Sequence, residues 1–216
     1  MELFIDTGSS DEVRQMVEMG LCDGITTNPS LISKQKRPFK EIILEMIKIA
    51  QKPISVEVTA EDKDGMVKQG RGFAEWSPHV VVKLPITVEG LKACKELSSQ
   101  GVKTNLTLCF QPVQALAVAK CGATYVSPFI GRLDDVGQIG MDLIVQMRKI
   151  YDTYGYKTKI LAASIRTVEH VVRAALSGAD VATIPFAVVP KLLSHPLTDM
   201  GLEKFLSDWK ASGQKA

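Results

Sequence analysis

A chain of 216 residues, 45% of them hydrophobic, is long enough to close one (β/α)8 barrel around a large core. Its formal net charge of +2 is spread without a basic block, which argues against nucleic acid or an anionic membrane surface as partner. No apolar run reaches the roughly 18 residues of a membrane span, and Met1 to Ser10 lack the basic start of a secretory leader, so the cytoplasm is the expected location.

Short β-branched runs alternate with longer amphipathic ones, the pattern of a parallel sheet built from βαβ units. ELFID (2–6) reads as the first strand and DEVRQMVEMG as the helix after it. GITT (24–27) and KEIILEMIKIA follow, then ISVEV (54–58) and EDKDGMVKQGRGFAEW. VVVKL (80–84) precedes VEGLKACKELSSQG, and VKTNLTL (102–108) precedes QPVQALAVAKCG. TYVSPF (124–129), DLIVQMRKIYDTYG, KILAAS (159–164), TVEHVVRAALSG, VATIP (181–185) and FAVVPKLLSH complete the series. Gly20, Gly101, Gly122 and Gly178 stand where a helix C-terminus turns left-handed. Eight such units without a break in composition predict an α/β fold, a (β/α)8 TIM barrel with an additional C-terminal helix, as one domain over residues 1–216. The absence of a Gly-rich dinucleotide fingerprint weighs against an open doubly wound sheet.

The additional helix is expected over about 198–212, where Leu202, Phe205, Leu206 and Trp209 recur at helical spacing and make one apolar face. That face either covers its own barrel or docks on a neighbouring subunit. Cys22, Cys94, Cys109 and Cys121 form no CxxC pair and read as reduced, packed thiols. His79, His170 and His195 share no ligand spacing, so no metal is expected.

In a closed parallel barrel the chemistry lies at the C-terminal strand ends. Asp6, Asn28, Glu57, Lys83, Asn105 with Thr107, Ser127 with Phe129 and Arg132, and Ser164 with Arg166 bring polar groups there from seven of the eight predicted strands. Singly, an Asp or Asn at a strand end reads as a helix cap. Jointly, a carboxylate, an amine and amides inside one barrel exceed what structure demands. Lys83 follows three valines, and such surroundings disfavour an ammonium, so a neutral amine is expected there. A neutral amine attacks a carbonyl, loses water and becomes an iminium, an electron sink that lets a neighbouring C–C bond break. Asp6 and Glu57 are the carboxylates available for proton transfer, while Asn28, Asn105 and Ser127 suit sugar hydroxyls. Arg132, Arg166 and Ser164 suit a phosphate.

The segments FIDTG, DGITTNPSLI, SVEVTA, VVVKLPIT, TNLTLCF, YVSPFIGRLDD and LAASIR, in this order, resemble the transaldolase family, and the likeness runs from Glu2 to the terminal FLSDWK. The length resembles the small subfamily, which includes the fructose-6-phosphate aldolases. The resemblance implies a barrel with Lys83 as the Schiff-base lysine and Asp6 as the base at the donor's C4 hydroxyl. It implies Glu57 and Thr107 as the pair positioning a catalytic water, and Asn28, Asn105 and Ser127 around the dihydroxyacetone moiety. Arg132, Ser164 and Arg166 match the phosphate site, and no cofactor is implied. It further implies phosphorylated sugar substrates, a homo-oligomer of five or ten subunits, and a C-terminal helix that reaches a neighbour.

Two reactions fit that family. A transaldolase holds the enamine until an acceptor aldehyde arrives; a fructose-6-phosphate aldolase protonates it and releases dihydroxyacetone. Position 129 is Phe where the aldolase branch carries tyrosine, and position 57 is Glu where that branch carries glutamine. A phenyl ring donates no proton, so the expectation is transaldolase: dihydroxyacetone transfer from sedoheptulose 7-phosphate to glyceraldehyde 3-phosphate. A catalytically dead scaffold would show a broken site, and none of these positions is replaced.

Overall fold

A computed structural model of the chain describes residues 1–214; residues 215 and 216, the end of the expected 1–216 span, lie outside them. Eight parallel strands, β1 (Glu2–Asp6), β2 (Gly24–Thr26), β3 (Ile54–Glu57), β4 (Val80–Pro85), β5 (Thr104–Cys109), β6 (Tyr125–Pro128), β7 (Lys159–Ala162) and β8 (Val181–Pro185), form a closed barrel in sequence order. The seam is β8 on β1, with Thr183 opposite Phe4 and Pro185 opposite Asp6. Each predicted strand is present. The regular strand in KILAAS ends at Ala162, so Ser164 sits in the loop beyond β7.

Helices α1 (Ser10–Glu18), α2 (Pro29–Ile32), α3 (Phe39–Ala50), α4 (Lys63–Ala74), α5 (Val88–Ser99), α6 (Pro112–Lys120), α7 (Ile130–Asp135), α8 (Gly140–Tyr154), α9 (Val168–Leu176) and α10 (Pro196–Ala211) follow the strands. Ser9, Asp62, Thr87 and Thr167 cap α1, α4, α5 and α9 by accepting from backbone N–H groups of the first turn. FAVVPKLLSH is not the helix its periodicity suggests. It forms two 3-10 turns, Phe186–Val188 and Pro190–Leu192, because Pro190 has no N–H to continue a helical ladder. Among the described residues no helix is long and apolar enough to cross a membrane.

Strand alternation divides the apolar residues into two cores. Ile5, Ile25, Val56, Val82, Leu84, Leu106, Val126 and Ile160 point outward and pack with helix residues such as Ile43, Met46, Leu97, Ile144 and Met147. The inward residues fill the barrel in tiers from alternate strands. Lowest stand Val81, Tyr125 and Val181 of β4, β6 and β8, with the ring of Phe4 wedged among them. Gly24 makes room for that ring, since a Cβ there would lie 2.4 Å from it. Ser55 and Asn105 come next from β3 and β5. Above them β2, β4, β6 and β8 contribute Thr26, Lys83, Ser127 and Thr183, so the tier that should seal an apolar barrel is polar.

The terminal helix α10 has no buried residue, and Leu202, Phe205 and Trp209 are 57%, 71% and 45% exposed. Its apolar face therefore does not seal its own barrel.

Candidate active site

The polar tier floors a cavity of about 290 Å³ at the C-terminal end of the barrel. Asp6, Thr26, Asn28, Lys83, Ser127, Phe129, Arg132, Ser164, Arg166 and Thr183 line it. A wider mouth above it adds Glu57, Thr107 and Leu108. Ten of the eleven residues singled out by the sequence thus meet in one connected space.

Lys83 is 5% exposed, and its Nζ donates to the Thr27 carbonyl at 2.9 Å and lies 3.0 Å from Glu57 Oε2. The expectation that valines insulate this amine needs correction. Val80 and Val82 face outward by strand alternation and only Val81 lies beneath the lysine, while β3 sets Glu57 directly opposite it. The charge is thus met by a carboxylate and a carbonyl, as a buried cation requires.

Asp6 ends β1 directly opposite Thr26, whose hydroxyl donates to Asp6 Oδ1 at 2.7 Å. Burial raises the Asp6 carboxyl above its ordinary value, and the Thr26 bond and the Lys83 charge work against that rise. Asn28 both caps and lines: its Oδ1 accepts from Leu31 N–H at 3.0 Å, leaving its amide N–H groups for the cavity. Thr107 Oγ1 is buried without a hydrogen-bond partner among the described residues, and it lines the mouth that Glu57 also lines.

Asn105 is the exception. It is fully buried one tier below, donates from Nδ2 to Ser55 Oγ at 3.0 Å and accepts from Ser127 Oγ at 2.8 Å. Since the single hydroxyl proton of Ser127 is used on Asn105, Ser127 offers the cavity an acceptor.

On the other wall the β6–β7 pairing continues past the strands. Phe129 bridges Ala163, Ile130 N–H donates to Ala163 O at 3.0 Å, and Gly131 N–H donates to Ser164 O at 3.1 Å. This lateral zip brings Arg132 and Arg166 to the same cavity. The Arg132 guanidinium stacks 4.8 Å from the Phe129 ring centroid, and Arg166 pairs with Asp135 at 2.6 Å. Ser164 (φ 59°) and Leu108 (φ 64°) both hold left-handed backbone without being glycine, a strain that clusters at sites of function. Leu108 belongs to a bulge in β5, where the register with β6 shifts between Leu106 and Cys109.

Thr26, Ser55 and Thr183 were not among the predicted site residues. The two-residue period could have found Ser55, which precedes Glu57 by two on the same strand; Thr26 and Thr183 carry no such mark. Among the described residues, no three or more His, Cys, Asp or Glu side chains are grouped to hold a metal ion.

Comparison with known proteins meets this geometry. Residues 3–216 match the family model described as Transaldolase/Fructose-6-phosphate aldolase. A protein of Anaeromyxobacter dehalogenans (strain 2CP-C) named probable transaldolase is 53% identical over 210 residues, 97% of each chain. One of Bartonella bacilliformis with the same name is 53% identical over 215 residues, 100% of this chain and 99% of its own. One of Petrotoga mobilis, also so named, is 52% identical over 210 residues, 97% of this chain and 95% of its own. With a closed eight-stranded barrel and a match over nearly its whole length, the chain belongs to the transaldolase/fructose-6-phosphate aldolase family.

Proposed function

We propose that the chain is a transaldolase that works through a Schiff base on Lys83. The observation carrying this reading is the buried amine of the cavity, held 3.0 Å from Glu57, with a second carboxylate, Asp6, lining the same cavity. Glu57 takes the ammonium proton, and the free amine attacks C2 of a ketose phosphate. Loss of water from the carbinolamine gives the iminium, with Glu57 and a water held at the Thr107 hydroxyl moving the protons. Asp6 then removes the proton of the C4 hydroxyl. The C3–C4 electrons flow into the iminium, the aldehyde departs and an enamine remains on Lys83.

Enamine attack on a second aldehyde reverses these steps. With sedoheptulose 7-phosphate as donor and glyceraldehyde 3-phosphate as acceptor, the products are erythrose 4-phosphate and fructose 6-phosphate, the exchange of the non-oxidative pentose phosphate pathway. Ser127 accepts from a hydroxyl of the three-carbon unit, and Asn28 donates to it. Asn105 acts on that unit through Ser127. Arg132, Ser164 and Arg166 receive the phosphate. The iminium formed on the lysine is the electron sink, so the steps as written call on no cofactor.

The alternative, aldolase release of dihydroxyacetone, needs a proton donor at the enamine carbon, and the phenyl ring of Phe129 offers none. The exposed face of α10 supports assembly with further copies of the chain, as a pentamer or decamer in the cytoplasm.

The test feeds fructose 6-phosphate with and without erythrose 4-phosphate. Turnover that requires the acceptor supports transfer; equal release of dihydroxyacetone without it overturns transfer in favour of the lyase. Borohydride reduction during turnover is expected to fix a sugar-derived adduct on Lys83, and an adduct on another lysine overturns the Schiff-base assignment.

A further inference from the structure

β8 is the strand for which the sequence suggested no polar group at the mouth, yet it supplies Thr183 to the cavity floor. Thr183 is 3% exposed, and its hydroxyl lies 2.6 Å from that of Thr26, also 3% exposed. Thr26 in turn donates to Asp6 Oδ1 at 2.7 Å. The barrel seam explains the alignment. Asp6 faces Thr26 across β1–β2, and Pro185 across β8–β1, with Thr183 one inward position below that proline.

Counting protons orients the chain. An ionised carboxylate only accepts, and a threonine hydroxyl has one proton. The Thr26 proton is used on Asp6, so across the 2.6 Å contact Thr183 must be the donor. A hydroxyl that receives a bond on one side is held donating on the other, and successive bonds in such a chain strengthen one another. Oδ1 is thereby occupied, which leaves Oδ2 as the oxygen for a substrate proton.

We propose that Thr183 is a positioning residue that acts through Thr26, holding the Asp6 carboxylate with Oδ1 engaged and Oδ2 turned to the reacting hydroxyl. This rests on the reading of Asp6 as the base of the cleavage step. Thr183 also fills the same tier as Lys83 and Ser127, so its methyl packs while its hydroxyl orients. Serine keeps the hydroxyl, and valine keeps the shape without it.

The test compares Thr183→Val, Thr183→Ala and Thr183→Ser in pH profiles of kcat/KM for acceptor-dependent transfer. The Thr26 bond favours the ionised form of Asp6, so loosening it moves the acid limb to higher pH. Thr183→Val and Thr183→Ala are expected to shift that limb up by roughly half a unit and to lower kcat about tenfold with KM little changed. Thr183→Ser is expected to restore both, which a merely structural role for the side chain would not do. Thr183→Ala covers the case in which valine disturbs folding. An unmoved acid limb in the hydroxyl-free variants overturns the proposal, as does a serine variant that behaves like valine. Asp6→Asn, run in parallel, separates the two levels. If it is inactive while the Thr183 variants match the parent, only the role of Thr183 falls. If it retains full turnover, Asp6 is not the base and both readings fall.

Discussion

Glu57 and Lys83 are direct register partners across β3 and β4, and their charged atoms stand 3.0 Å apart with side chains 17% and 6% exposed. Removing one member of so buried a pair strands the other charge, at a cost of about 3 kcal/mol. Glu57→Ala is therefore expected to lower the melting temperature clearly. Glu57→Gln, which keeps the shape and one hydrogen bond, should lower it less. On the proposed mechanism both variants lose the proton carrier, and they are expected to lose about a hundredfold in kcat. Thermal melts beside steady-state rates check this; a Glu57→Gln variant of undiminished rate would mean the carboxylate serves only the fold.

Phe129 is held between the Phe110 ring, 5.9 Å away edge-on, and the Arg132 guanidinium at 4.8 Å. Phe129→Tyr adds an O–H to this wall with little change of packing. The expected outcome is a several-fold rise in acceptor-free cleavage of fructose 6-phosphate at the expense of transfer. Unchanged partitioning would remove proton supply as the feature that separates transferase from lyase.

The parts of the site that were legible in the sequence are those whose residue type is wrong for their place. A lysine among valines, a carboxylate closing ELFID and a glutamate inside ISVEV each contradict an apolar barrel and so announce themselves. Thr26 and Thr183 do not, because threonine is an ordinary β-former and its hydroxyl carries no pattern until the seam of the barrel closes. Asn105 was found, but its tier was not. Whether an inward residue touches substrate or supports one that does depends on register, which pairs β5 with β4 and β6. The left-handed Leu108 and Ser164 also left no trace, since neither is the glycine that such a backbone favours.

Gly131 is a glycine for a reason of contact. A Cβ there would lie 2.1 Å from the Ser164 carbonyl oxygen and 2.9 Å from Arg166 Cγ. Gly131→Ala is therefore expected to push α7 from the β7 loop and to part Arg132 from Arg166. Affinity for phosphorylated sugars should fall at least tenfold, while reaction with free dihydroxyacetone changes little. Arg166→Ala should show the same selectivity with a smaller effect on the melting temperature, because its pair with Asp135 is half exposed. Equal losses on both kinds of substrate would make the arginine structural.

Cys109 is the last residue of β5, fully buried, and burial pushes its thiol up to about 12. The thiolate is the reactive form, so this sulfur should resist alkylation at mildly alkaline pH. Cys121, half-buried, should react first with iodoacetamide, with little loss of activity. Mass spectrometry of the labelled peptides decides the order. Early labelling of Cys109 in the folded protein would contradict the packed arrangement.

On the proposed mechanism Asp6 sets function against stability. Burial is the largest cause of its raised carboxyl, so the folded protein holds that proton more tightly than the unfolded chain does. A group of this kind subtracts stability as pH rises from the ordinary value of 3.8 through the folded value, and the full penalty is present above the latter. Asp6→Asn removes the charge while keeping an acceptor for Thr26. It is expected to melt a few degrees higher than the parent at neutral pH and to lose at least a thousandfold in transfer rate. The gain should shrink as pH is lowered and vanish below the ordinary carboxylate value, where the parent residue is protonated in both states. A variant that gains equally at all pH values would trace the stabilisation to packing instead of charge.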